Sequence, residues 1–121
     1  MKRLAAITFA ILLVGTAYAH GPEKGPHGGT QVDAGDYHVE LVAKETTLSV
    51  FVSDAKIAPI DAKGFKGIGI FVVGGKPQRI ELKFESGNKL AGTSSVPLPT
   101  SLKGAVQLTP PTGKTIQAKF E

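Results

Sequence analysis

Three histidines are the only imidazoles in this chain of 121 residues, and all of them fall early: His20, His27 and His38. The 83 residues that follow His38 contain none. Neutral imidazole is the commonest protein ligand for zinc and also suits copper and nickel. His38 and Glu40 stand two apart in a segment of alternating character. On a strand they project from one face with Cα atoms about 6.6 Å apart, so both side chains can reach one ion. His27 sits within Gly25-Pro26-His27-Gly28-Gly29, a stretch able to fold back toward them. The candidate ligand set is therefore His20, His27, His38 and Glu40.

His20 gains its interest from what precedes it. Met1-Lys2-Arg3 gives a positive start, Leu4 to Val14 is nearly all apolar, and Ala17-Tyr18-Ala19 has the small-x-small form of a cleavage site. This pattern predicts a secretory signal over residues 1–19. About 11 apolar residues are too few to cross a bilayer, which needs ~20. Cleavage after Ala19 leaves 102 residues beginning at His20, and loss of two cations lowers the formal net charge from +4 to +2. His20 would then carry both an imidazole and a free α-amine, two donors that coordinate once deprotonated. Pro22 has no N–H, which rules out copper binding through consecutive deprotonated amides.

The donors narrow the metal. There is no Cys, and the single Met leaves with the signal, so no sulfur remains for Cu(I). Nitrogen and carboxylate ligands suit Cu(II) or Zn(II), held exchangeably rather than in a closed structural site. Each histidine also has a plain reading: His20 as a solvated terminus, His27 as a loop residue, His38 as an exposed strand residue.

The elements that must position these residues are strands. Residues 20–36 are rich in Gly and Pro and read as an irregular arm. From Tyr37 the pattern turns to period two: Tyr37, Val39 and Leu41 face one way, His38 and Glu40 the other. Leu48, Val50 and Val52 repeat it, with Phe51 on the opposite face. The run Ile68–Val73 ends at Gly74-Gly75, a hairpin signal. Ile80, Leu82 and Phe84 then alternate with charged residues, as do Ile116, Ala118 and Phe120 with polar ones, placing all six in the core. Val106 and Leu108 mark a further strand. The whole predicts an all-β domain over residues 37–121, a small antiparallel β-sandwich, immunoglobulin-like or related. Without Cys it must fold by packing alone.

Two segments together resemble a known family. Gly25-Pro26-His27-Gly28-Gly29, followed by Gly35-Asp36-Tyr37-His38-Val39-Glu40-Leu41-Val42, is similar to a stretch near the start of periplasmic adaptor subunits of heavy-metal tripartite efflux systems. Leu48 to Asp54 and Ala58-Pro59-Ile60 look like the second strand of that module and its exit. The resemblance covers about residues 25–62. It implies a small periplasmic β-module linked to metal resistance, with His27 on the family's motif and His38 at a variable position. The helical hairpin, lipoyl-like and barrel domains of such adaptors have no counterpart in 102 residues, so the module is expected to stand free.

Other chemistries lack support in the sequence. A charge of +2 without a basic cluster offers little to nucleic acid. After signal removal no apolar run is long enough for a membrane helix. Ser94 and Ser95 are far from any His, and Gly64-Phe65-Lys66-Gly67-Ile68-Gly69 lacks the strand-to-helix setting of a phosphate loop. With no Trp, and Tyr37 the one Tyr beyond the signal, no aromatic substrate surface is expected, and the chain is not read as an enzyme. Lys63, Lys66 and Lys76 read as a solvated edge that discourages strand association. The expectation is a periplasmic or secreted protein binding Cu(II) or Zn(II) as a chaperone, buffer or sensor, in contact with a heavy-metal efflux component. The alternative is an envelope interaction module with no metal role.

Overall fold

Alternating apolar residues separated by glycine turns leave this chain one way to bury its hydrophobic faces, which is to curl a sheet over on itself. The computed structural model describes residues 22–121; residues 1–19, expected to be a signal, and His20 lie outside the described residues. Nine strands are present among the described residues: β1 (Glu23–Lys24), β2 (Thr30–Ala34), β3 (Tyr37–Lys44), β4 (Thr47–Ser53), β5 (Lys66–Val73), β6 (Lys76–Ser86), β7 (Lys89–Thr93), β8 (Lys103–Thr109) and β9 (Ile116–Phe120). All neighbours are antiparallel, in the order β1-β2-β3-β4-β7-β6-β5-β8-β9. The all-β antiparallel class expected from the alternation is what the chain adopts.

The curl is built around β6. Its first part pairs with β5, from Lys76↔Val73 to Leu82↔Gly67. Its last part pairs with β7, from Lys83↔Ala91 to Ser86↔Lys89, with a bulge between Phe84 and Ser86. One strand thus belongs to both layers, and β2 and β9, near the two ends of the order, come into contact. Val39, Leu48, Val50 and Val52 from one layer are enclosed with Phe71, Ile80, Val106 and Leu108 from the other. Leu98 and Leu102, on the long β7–β8 connection, are also part of the core.

Two sequence expectations are corrected. Phe84 is 40% exposed rather than in the core. It continues the inward face of Ile80 and Leu82, but it lies beyond the last β5–β6 pair, Gly67↔Leu82, where β6 is bonded to β7 instead. Within the segment read as an irregular arm, Thr30–Ala34 is strand, paired residue for residue with β3 from Thr30↔Leu41 to Ala34↔Tyr37. Of the other residues placed in the core, Ile80, Leu82, Ala118 and Phe120 are buried, and Ile116 is partly buried against them.

Candidate functional site

The outward face of β2, β3 and β4 carries the chemistry. Register sets Gln31 beside Glu40 and Asp33 beside His38, and sets Phe51 and Ser53 beside the same two residues from the other side. Cross-strand partners share a face, so these side chains form one polar patch behind the core layer of Val32, Val39 and Val52. Two loops lie over it, one from Gly25 to Gly29 and one from Asp54 to Ile60.

Glu40 is the most constrained group in the patch. It is only 2% exposed, although a lone buried carboxylate is costly. The Pro-His-Gly-Gly loop supplies its partners. Glu40 Oε2 accepts from the backbone N–H groups of His27 (2.9 Å) and Gly29 (2.8 Å), and Oε1 accepts from His27 Nδ1 at 2.7 Å. The loop holds itself closed with Gly28 N–H to Gly25 O and Gly25 N–H to Gly29 O. A methyl group on Gly25 would overlap the Glu40 carboxylate, and one on Gly29 would overlap the Leu41 carbonyl, so both positions need glycine for close approach. The Pro-His-Gly-Gly motif, expected within an irregular arm, is a fitted cradle for one carboxylate.

The cradle also fixes His27. Its ring stacks on Phe51 with centroids 3.7 Å apart and planes within 8°. A carboxylate only accepts, so Nδ1 carries a hydrogen and Nε2 is left outside this network. The side chain is 44% exposed, beside a small cavity of about 140 Å³ lined by Phe51, Ile57, Pro59 and Asn88.

His38 is held differently. Its Nδ1 lies 2.8 Å from the Asp54 carbonyl, which can only accept, so again Nδ1 carries the hydrogen. The acceptor is fixed in turn, because Asp54 folds its own loop: Oδ1 accepts from the N–H groups of Lys56 and Ala58. His38 Nε2 then faces Asp33 Oδ1 at 2.8 Å. With a hydrogen already on Nδ1, a neutral ring would set two lone pairs against each other. A hydrogen or a metal ion between the two atoms relieves that opposition.

Of the four residues singled out in the sequence, the fold joins His27 to Glu40 and places His38 on the same face with Asp33, while His20 lies outside the described residues. Glu40 holds the cradle and has no oxygen turned to solvent. Asp33 was missed, and the pairing that supplies it was hidden in a segment read as non-strand. Among the described residues no group of three or more His, Cys, Asp or Glu is placed to hold a metal ion. Comparison with family models, with curated proteins and with solved structures gives no match.

Proposed function

We propose that this protein is an exported β-domain that binds a divalent transition metal, Cu(II) or Zn(II), as a chaperone, buffer or sensor in heavy-metal resistance. The observation that carries the reading is His38 Nε2 facing Asp33 Oδ1 at 2.8 Å while Nδ1 is tied to a carbonyl. Two donors each about 2.0 Å from a metal and at right angles to it are about 2.8 Å apart. A histidine whose Nδ1–H is held by a carbonyl or carboxylate is also the usual form of a metal ligand, since that bond orients the ring and raises the basicity of Nε2. His27 is held the same way, with Glu40 as its orienting carboxylate. His20 is proposed to complete the set with imidazole and α-amine.

Calorimetric titration of the mature protein with Cu(II) and Zn(II) tests this. His38→Ala and Asp33→Asn are each expected to weaken binding at least tenfold, and Glu40→Gln, acting through His27, by about 10- to 100-fold. If the metal takes the place of a proton between His38 and Asp33, about one proton is released per ion, read from the buffer dependence of the heat. One residue added ahead of His20 should weaken Cu(II) more than Zn(II), because Cu(II) gains more from a nitrogen-rich tetragonal set. Equal affinities for the wild type and a variant lacking all three histidines would refute the reading. The second reading, an envelope interaction module without metal, draws on exposed apolar residues away from the histidines, Phe84 at one end of β6 and, separately, Ile70 and Val72 on the outer face of β5.

A further inference from the structure

The change of partner along β6 opens the sheet. The last pair between β5 and β6 is Gly67↔Leu82, and Lys66, which begins β5, pairs only with Thr109 of β8. From Lys83 onward β6 is bonded to β7, so the backbone groups that point away from β7 pair with no strand among the described residues. The resulting cleft has a volume of about 640 Å³, within the range of pockets that take ligands. Phe65, Leu82 and the exposed ring of Phe84 supply its apolar lining, and Lys66 and Lys83 stand on opposite sides.

We infer that this cleft takes an extended acidic peptide from a partner protein, added as a strand along Lys83–Glu85 of β6. Three features converge on that occupant. An unpaired strand edge binds extended chain through main-chain hydrogen bonds, while side-chain pockets select alternate residues. Phe84 and Phe65 would receive an apolar residue on the inner side. On the outer side Lys66, Arg79 and Lys83 line the cleft against a single acid, Glu81, while the nearby Glu85 is drawn to Lys89 at 3.3 Å. Carboxylates at the alternate positions of the incoming strand meet those cations. The same lysines oppose a second copy of this edge, which would bring Lys83 against Lys83, so the occupant is a different chain. The bulge at Phe84–Ser86 fits a site, since bulges re-aim side chains where a strand must stop pairing with its neighbour. This inference does not depend on a metal.

The test uses isotope-labelled mature protein with chelator present and a blocked hexapeptide probe, Asp-Val-Asp-Phe-Asp-Val. Amide shifts at Lys66 and Lys83–Ser86, with slowed hydrogen exchange at one or more of Lys83–Glu85, are expected. The paired change Lys66→Glu with Lys83→Glu alters only exposed side chains, and a dispersed amide spectrum confirms its fold. It should weaken the peptide at least about tenfold, as should raising the salt from 0.05 to 0.5 M. His27→Ala with His38→Ala should leave peptide affinity unchanged, which separates this site from the metal reading. The inference fails if a Lys-for-Asp peptide binds as well, if proline at neither of the two middle positions weakens binding, if dodecanoate produces the same shifts as tightly, or if the peptide's shifts map elsewhere.

Discussion

Glu40 and Phe84 both break the alternation of their strands in opposite senses: a carboxylate 2% exposed and an aromatic ring 40% exposed. They differ in what surrounds the strand. Over β3, a glycine-rich loop closes down and gives the buried charge three hydrogen bonds. Along β6, the pairing with β5 stops at Leu82, and Phe84 beyond it is left partly open to solvent. The first exception is held by a completed set of partners, the second by a missing one. A charge that leaves water must find its partners within the fold, whereas an exposed ring costs only the burial it forgoes.

Substitutions at the two places should separate sharply. Glu40→Ala leaves the His27 and Gly29 N–H groups without an acceptor and releases the loop, so urea denaturation should register a loss of about 3–5 kcal/mol. A loss under ~1 kcal/mol would mean the loop does not depend on the carboxylate. Phe120→Ala, in the core, should cost roughly 3–5 kcal/mol, whereas Phe84→Ala should cost about 1 kcal/mol or less. Equal costs at the two phenylalanines would abolish the distinction between covered and uncovered ends of the inward face. Gly25→Ala should destabilise by about 1–3 kcal/mol by pressing a methyl group into the Glu40 carboxylate. His27→Ala removes the ring from Phe51 and one bond to Glu40 but keeps the backbone donors, so ~1 kcal/mol is expected from thermal melts.

Much of this was legible in the sequence, and the misses share a cause. Tyr37–Leu41, Leu48–Val52, Ile80–Leu82 and Ile116–Phe120 announce their inner faces because each alternates over several residues, and Gly74-Gly75 announces its turn. The strand Thr30–Ala34 does not, since Val32 is its only large apolar residue and its pairing with β3 is a long-range fact. Lys89–Thr93 is short and contains Gly92, which a local pattern counts against a strand. The placement of Phe84 depends on where another strand stops. The cradle was half visible: a lone Glu amid Val39, Leu41 and Val42 asks for a partner, and the Pro-His-Gly-Gly motif was noticed. Only the fold shows that the glycines of one serve the carboxylate of the other.

The sharing of β6 between layers has a consequence for how the domain assembles. Neither layer can be completed without the strand it holds in common with the other: β5–β9 contain all of one layer, whereas the other joins β1–β4 to β7 and β6 from later in the chain. The pairing of β4 with β7 and of β5 with β8 spans long stretches of chain, and closing those loops must precede most of the core contacts. Refolding should therefore be slow for a chain of this size and proceed as a single concerted phase, with β6 formed in the rate-limiting state. Amide exchange from the native protein should show β5, β6 and β7 opening together, at one free energy, and not as separate layers.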